Sequence, residues 1–306
     1  MKSYRVLFYA LMGTLMVSCA SNIVKEDISS SVKKDESSQH VKEWPKTIEP
    51  QLLNIRPGEV SLLVVPGTFN RAGSLKCGGK DYKFYLADNK LVSFISETYF
   101  SKEKPFSCFF FLKGEKAKVA DIKTLSKKFP SERLKVDKKR VFLNKKDAAR
   151  ARKESKIRAK AYASSPDRPL FFEPFSHPIK SFVTSIYGSK RVFNKKKQTQ
   201  HLGTDYRAAV GVPIKAANRG EIVISRNFFY TGNTIIIDHG LGIFTMYGHL
   251  SKLHVQEGEI VPMGSVIGLA GSTGRVTGPH LHWGVTVNGL AIEGDSLVEA
   301  SKGLPR

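Results

Sequence analysis

From residue 171 onward the sequence consists of short apolar runs separated by glycine, asparagine and aspartate. The runs include FVTSIYG, EIVISR, NTIIIDHG, IFTMYGHL and HLHWGVTV. Short runs rich in β-branched and aromatic residues, with turn-forming residues between them, are typical of β-strands joined by tight turns. No long helical pattern interrupts them. The sequence therefore predicts a mostly antiparallel β domain over residues 171–306.

A second group of β-like runs lies between residues 47 and 143. VSLLVV precedes a Pro-Gly turn, and YKFYL alternates so that Tyr82, Phe84 and Leu86 fall on one face of a strand. LVSFI and CFFFL follow after further turn signals. This pattern predicts a small, sandwich-like β-rich domain over residues 47–143, ahead of the larger one.

The N-terminus has the pattern of a secretion signal. Lys2 and Arg5 precede a short apolar run that ends in small residues, in MKSYRVLFYALMGTLMVSCAS. The run is shorter than the ~20 apolar residues that a membrane-spanning helix needs. Residues 1–18 are therefore predicted to be a signal peptide. Residues 19–46 are rich in Ser, Lys, Glu and Asp and are predicted to be a disordered tether.

The stretch LMVSC resembles the lipobox of bacterial lipoproteins, in which cleavage precedes a cysteine that becomes lipidated. Met16 stands where a leucine is usual. The resemblance implies a lipid anchor at Cys19, and Ala20 then implies sorting to the outer membrane, where we expect the protein to face the periplasm. An ordinary cleaved signal that happens to contain a cysteine is the alternative.

Two further cysteines, Cys77 and Cys108, lie in the predicted N-terminal domain. In an exported protein such a pair is predicted to form a disulfide. Two buried free thiols are the alternative.

The chain is strongly basic, with 49 Lys and Arg against 27 Asp and Glu and a formal net charge of +22. KKDAARARKESKIRAKAYA is a good helix by propensity, with Asn144 as a candidate N-cap, and it lacks a wide apolar stripe. We predict a basic helical linker over residues 144–170. Its charged face is either solvated or a collar that holds the protein against anionic wall polymer or phosphate head groups. Because the N-terminus is predicted to be an export signal, we do not expect nucleic acid as a partner.

Histidines and one aspartate recur at strand spacing in the C-terminal domain. His280 and His282 share one face if HLHWGVTV is a strand, and His201 and Asp205 share a face in an extended segment. Two imidazoles and a carboxylate leave a fourth position open on a zinc ion, which is the catalytic arrangement. Each pair alone is a weak signal. His239, in IDHG, lies in a turn, and we expect it to have a backbone or surface role.

The segment from about Phe175 to the C-terminus resembles the lysostaphin-like (LytM-type) zinc endopeptidases, which cut peptides in bacterial peptidoglycan. The matching pieces, in family order, are YGSKR, HLGTDYRA, GVPIKAANRGEIV, GNTIIIDHG, MYGHLS and VQEGEIVPMGSVIGLAGSTGRVTGPHLHWGV. No HExxH motif is present, so the helical metalloprotease arrangement does not apply. The resemblance also suggests Arg191, in YGSKR, as a substrate-binding residue.

The resemblance implies one zinc ion per catalytic domain, with His201, Asp205 and His282 as its ligands. His280 would be the general base that activates water, and His249 its partner, which stabilises the oxyanion or relays the proton. The residues alone do not decide which of His280 and His282 binds the metal.

The function implied by the resemblance is hydrolysis of peptide cross-links in the cell wall, with peptidoglycan stem peptides as partners. The D-Ala–diaminopimelate bond is the expected substrate, and a glycyl-glycine bridge is the alternative. One rival function is a non-catalytic wall-binding regulator, such as an amidase activator. A latent enzyme, whose N-terminal domain or helix covers the zinc, is another. The sequence does not indicate the oligomeric state.

Overall fold

The computed structural model describes residues 48–134, 143–193 and 197–305. The predicted signal peptide, the predicted tether and Cys19 lie outside the described residues. Across the described ranges, no helix is both long enough and apolar enough to cross a membrane. The chain is mostly β and most neighbouring strands are antiparallel, which confirms the predicted fold class.

The N-terminal part consists of two sheets. Its strands are β1 (Gln51–Ile55), β2 (Val60–Pro66), β3 (Ser74–Cys77), β4 (Lys80–Tyr82), β5 (Phe84–Ala87), β6 (Lys90–Ser96), β7 (Phe106–Leu112) and β8 (Glu115–Thr124). One sheet has the order β1–β8–β7–β3–β4, and the other has the order β2–β6–β5. Only β1 and β8 pair in parallel among these strands.

Side chains from both sheets meet in one core, as expected for a sandwich. Leu63 and Ile95 come from the three-stranded sheet, and Phe110 comes from the five-stranded sheet. Cys77 and Cys108 lie directly opposite each other on β3 and β7, and a disulfide joins them inside this core.

Strand β6 is buried on both faces. Alternate residues face the sandwich core, whereas Phe94 belongs to a second core that also contains Trp283. The Ser96 hydroxyl donates to the Val287 carbonyl at 3.1 Å, and the Asn288 amide donates to the Phe94 carbonyl at 2.9 Å. The three-stranded sheet is therefore a middle layer shared by the two parts of the protein. The domain boundaries inferred from the sequence stay predictions.

The remaining strands form a large sheet and two small ones. They are β9 (Ser131–Leu134), β10 (Val183–Ser185), β11 (Lys190–Phe193), β12 (Lys197–Gln200), β13 (Thr204–Arg207), β14 (Pro213–Lys215), β15 (Gly220–Phe228), β16 (Gly232–Asp238), β17 (Ile243–Leu250), β18 (Lys252–Leu253), β19 (Ile260–Val261), β20 (Val266–Leu269), β21 (His280–Val287) and β22 (Leu290–Ile292). The main sheet has the order β10–β13–β21–β17–β16–β15–β19, and β22 also pairs with β21. The small sheets are β14–β20–β18 and β12–β11–β9, in which β9 and β11 are parallel.

Two helices complete the described part of the chain: α1 (Lys145–Ala163) and α2 (Gly294–Ser301). Asn144 caps α1 as predicted, because its side-chain oxygen accepts the Asp147 backbone N–H at 2.8 Å. No residue of α1 is fully buried, which agrees with a surface helix. Helix α2 packs on the main sheet and the middle layer, with Leu297 in their common core.

His239 lies directly after β16, and its ring is fully buried. Its Nδ1–H donates to the Arg219 carbonyl at 2.8 Å, and its Nε2 accepts from the Thr245 hydroxyl at 2.8 Å. Thr245 in turn accepts from the Tyr247 hydroxyl, which accepts the Ala217 N–H. The expected surface role is therefore wrong, whereas the backbone contact is present. This chain of donors needs a neutral ring, and burial lowers the pKa of His239 to about 4.

The buried ring predicts acid sensitivity of the fold. The unfolded chain takes up a proton at His239 near pH 6.5, but the folded chain takes it up only near pH 4. Stability should therefore fall as the pH drops through this window, by up to about 3 kcal/mol from this group. Urea denaturation at several pH values measures the free energy of unfolding. Between pH 6.5 and 4 this free energy should fall less steeply for His239→Gln than for the wild type. Parallel curves for the two proteins would contradict the assignment.

Candidate active site

The register between β13 and β21 brings two of the predicted site residues together. Asp205 pairs directly with His282, so both side chains leave the sheet on the same face. His280, two residues before His282, shares that face, while Leu281 and Trp283 point into the core. We call the side of the main sheet that carries His280 and His282 the catalytic face.

His201 reaches the same point from the turn before β13. Its backbone N–H donates to the Ser189 carbonyl at 3.0 Å, and its carbonyl accepts the Gly188 N–H at 2.7 Å. These two bonds fasten the turn to the segment between β10 and β11. The His201 side chain is almost fully buried, so packing restricts its ring.

Three potential ligand atoms converge on one point. Asp205 Oδ1 lies 2.7 Å from His282 Nδ1 and 3.0 Å from His201 Nε2, and the two nitrogens are 3.2 Å apart. A single proton can fill only one of these gaps, whereas one cation can accept lone pairs from all three atoms. Ligand atoms of a tetrahedral zinc site with bonds of ~2.0–2.1 Å are separated by ~3.3 Å. The donor set and its spacing therefore fit zinc.

The electrostatics of these side chains suit a metal site. Burial raises the pKa of Asp205, but His201 and His282 outweigh this effect and hold the pKa well below its usual range. Burial lowers the pKa of His282, although the Asp205 carboxylate opposes this shift. The aspartate is therefore ionised and His282 is held towards its neutral form, which are the protonation states that bind a cation.

Backbone carbonyls set the tautomers of three histidines. The Nδ1–H groups of His201, His249 and His280 donate to the carbonyls of Ile186 (3.1 Å), Thr273 (2.9 Å) and Gly278 (2.9 Å) respectively. Because a carbonyl can only accept, the proton is on Nδ1 in each neutral ring. The Nε2 lone pairs are left for the site.

His280 and His249 lie beside the predicted ligands. His280 Nε2 is 3.8 Å from Asp205 Oδ1, farther than the ligand atoms of His282 and His201. The ring centroids of His249 and His280 are 4.8 Å apart. The structure thus distinguishes the two histidines of the HLH motif, which the sequence alone could not do. His282 belongs to the ligand cluster, and His280 lies beside it.

His249 faces the site because of a bulge in β17. Tyr247 points into the core, so a regular strand would direct His249 to the same side. Instead the register between β16 and β17 shifts, and His249 takes a φ of +64°. This left-handed conformation turns the ring towards His280. The sequence carries no clear sign of the bulge.

The N-terminal part contributes to the wall of the site, through a strand pairing and a ring contact that the sequence patterns did not predict. Strand β9 pairs in parallel with β11, and the Phe129 ring covers Gly188, where a Cβ atom would lie 2.0 Å from the ring. Gly188 in turn bonds the backbone of His201. Arg191 lies on β11, but its side chain is outside the described part of the structure, so its substrate-binding role stays a prediction.

Comparison with known proteins agrees with this geometry. The model of peptidase family M23 matches residues 199–293, which contain all five of these site residues. The chain is 46% identical over 122 residues to the peptidoglycan DD-endopeptidase ShyA of Vibrio cholerae, covering 40% of this chain and 28% of that protein. It is 45% identical over 92 residues to the DD-carboxypeptidase/endopeptidase Mpg of Neisseria meningitidis, covering 30% and 21%. The matched part thus spans less than a third of these relatives.

A solved structure covers more of the chain. A crystal structure from Pseudomonas aeruginosa, described as a peptidase M23, superposes with a TM-score of 0.63 at 25% identity. The superposition covers 82% of this chain and 96% of the other. The likeness therefore extends well beyond residues 199–293 into the N-terminal part.

Gly203 offers a test of the ligand cluster that leaves all ligands in place. A Cβ atom there would lie 2.5 Å from Cε1 and 2.8 Å from Nε2 of His282, so Gly203→Ala should displace that ring. We expect zinc affinity to fall by about 10-fold or more, as is typical when the support of a ligand is disturbed. Competition with a chromophoric chelator measures it. Gly278→Ala, where a Cβ meets open space, is the matched control. Equal affinities in the two variants would contradict the assigned role of His282.

Proposed function

We propose, because residues 199–293 form a peptidase family M23 domain, that this protein is a zinc-dependent endopeptidase of the cell wall. The observation that carries the proposal is the convergence of His201, Asp205 and His282 beside two further histidines on one face of the main sheet. A zinc ion held by these three residues would supply Lewis-acid activation of the attacking water and of the scissile carbonyl.

His280 is the proposed general base. Its Nδ1–H is engaged with the Gly278 carbonyl, so Nε2 is free to take a proton from the attacking water. The same nitrogen then returns the proton to the leaving amine. In the balanced hydrolysis the water oxygen forms a C–O bond to the carbonyl carbon and the C–N bond breaks. The second proton of the water also passes to the amine, so that a carboxylate and an ammonium group result.

His249 is proposed to orient water and relay protons. Burial, together with the nearby His282, lowers its pKa to about 4, so the ring is neutral near pH 7. With its only proton donated to Thr273, Nε2 can accept but not donate a hydrogen bond. Of the two roles expected from the resemblance, this tautomer favours the proton relay over stabilisation of the oxyanion.

The proposed substrate is the peptide cross-link of peptidoglycan. Two relatives in the matched region are named for action on peptidoglycan or on DD bonds, and this supports the D-Ala–diaminopimelate bond over a glycyl-glycine bridge. The full donor set and both auxiliary histidines support an enzyme over a non-catalytic regulator, which needs none of them.

Cleavage of a defined substrate tests the proposal. A soluble version that begins at Ala20 is incubated with purified cross-linked dimeric muropeptides, and mass spectrometry identifies the products. We expect dimers to become monomers. His282→Ala should lower the rate by more than about 100-fold, since it removes a ligand and not only its support. His280→Ala should lower the rate by ~10²–10⁴-fold but retain zinc, because it removes only the base.

The outcomes separate the rival functions. Cleavage that is lost with a chelator and restored by zinc supports the endopeptidase, and the masses of the products identify the bond. If the zinc-loaded wild type leaves every cross-link intact, the regulator becomes the better account. Equal zinc loss in His280→Ala and His282→Ala would contradict the division of roles between them.

The proposed location is the outer membrane, through a lipid on Cys19. The signal-like N-terminus and the LMVSC stretch support it. Cys19→Ser should move the protein from the membrane fraction to the soluble periplasmic fraction, because the acyl chains supply the anchor. Metabolic labelling with a fatty-acid analogue provides the control. A variant that stays in the membrane fraction, or an unlabelled wild type, would contradict the anchor.

A further inference from the structure

Helix α1 packs on the catalytic face of the main sheet. Gly284 is two residues after His282 on β21, so it belongs to the same face. Gly284 pairs directly with Met246, and Met246 pairs directly with Ile236. Directly paired residues project on the same face, so this face continues from the catalytic histidines across β17 to β16.

Three side chains attach α1 to this continuation of the face. Ile157, Ala161 and Tyr162 pack on an apolar cluster that includes Phe244. The Tyr162 ring stacks on Phe244 with a centroid distance of 4.4 Å, and its hydroxyl lies near the Thr286 side chain. The helix is therefore fixed in position and not a free linker.

The helix borders the catalytic site. Thr286 follows His282 by four residues on β21, which is ~13 Å along the strand. The 19 residues of α1 extend this border over ~28 Å. A long chain molecule lying on the catalytic face would meet both the histidines and α1.

The outward side of α1 carries a set of exposed basic side chains that form no hydrogen bond or ion pair with the described part of the chain: Lys145, Lys146, Arg152, Lys153, Lys156 and Lys160. The two acidic side chains of the helix are engaged elsewhere. Asp147 accepts from Asn144, and Glu154 accepts from Arg150 and from the Phe229 N–H. The outward side of α1 is therefore almost purely positive.

We propose that this basic side of α1 binds carboxylates of the wall polymer outside the cleavage site, so that the substrate is held at two places on one face. The proposal rests on the proposed function, because it takes peptidoglycan to be the substrate. Free carboxylates on the stem peptides supply the complementary charge. Contacts between exposed charges are individually weak and are screened by salt, so the binding should be additive and salt-sensitive.

The position of α1 favours the polymer over an anionic bilayer. A flat membrane against α1 would also cover the neighbouring catalytic face and exclude the substrate. A flexible polymer can instead contact the helix and enter the site together. The location of the charge, and not only its sign, thus identifies the partner.

Pelleting with insoluble peptidoglycan tests the proposal in the full chain, with Cys19→Ser and His282→Ala to prevent anchoring and cleavage. The test variant carries Lys153→Gln, Lys156→Gln and Lys160→Gln, which lie on one stripe of α1 and keep helix propensity. We expect its apparent affinity to fall by about 10-fold at low salt and the difference to shrink at ~0.5 M salt.

The matched control carries Lys80→Gln, Lys102→Gln and Lys104→Gln, three exposed lysines of the N-terminal sandwich, and should change affinity by less than about 2-fold. Equal losses in the two variants, or no loss in the test variant, would overturn the proposal. A larger loss on phosphatidylglycerol vesicles than on the polymer would overturn it in favour of a membrane partner. The proposed function itself is tested separately, by the cleavage assay. If it is wrong, the protein with His282 intact will not cleave soluble dimeric muropeptides.

Discussion

The pairing of Asp205 with His282 across β13 and β21 is the constraint on which the rest of the site depends. Side chains alternate along β21, so the register that presents His282 to the catalytic face also sends Trp283 into the core. A slip by one residue would exchange the two sets and place an indole at the position of a candidate metal ligand. Loss of a buried tryptophan contact costs about 3–5 kcal/mol, so the core holds the register against such a slip. The geometry of the ligands is therefore stabilised from the opposite side of the sheet.

The N-terminal sandwich acts on the site through close contacts that only glycine permits. A Cβ atom at Gly58 would lie 2.3 Å from the Tyr187 ring, and one at Gly188 would lie 2.0 Å from the Phe129 ring. Each part of the protein thus inserts an aromatic ring against the backbone of the other, and the middle layer supplies side chains to both cores. Lys127 adds ion pairs to Glu59 at 3.0 Å and Glu293 at 2.6 Å. With such an interface, the N-terminal sandwich supports the wall of the candidate active site.

Local sequence patterns predicted much of the fold and the shared faces of the histidine pairs, because both rest on alternation, whereas the set of three ligands was predicted from the family resemblance. The spacing of His280 and His282 puts them on one face of any strand, and the turn residues divide the strands. The pairing of β9 with β11 and the docking of α1 on the catalytic face depend on contacts distant in sequence. The apolar contacts of α1 with this cluster come from Ile157, Ala161 and Tyr162, and three apolar residues make no visible stripe. The bulge at His249 escaped prediction because a histidine at positive φ has no local signature.

The tautomers of three histidines of the site are decided by backbone carbonyls in loops. The carbonyls that hold the Nδ1 protons of His201, His249 and His280 come from Ile186, Thr273 and Gly278. Ile186 lies in the connection between β10 and β11, and the other two lie in the connection between β20 and β21. A shift of one connection by about an ångström would break its hydrogen bond and free the ring to adopt the other tautomer. The Ile186 connection continues into Tyr187, whose ring packs against Gly58 of the N-terminal sandwich. The contact between Tyr187 and Gly58 lies outside the main sheet. It therefore helps to fix the tautomer of His201 through two residues of backbone.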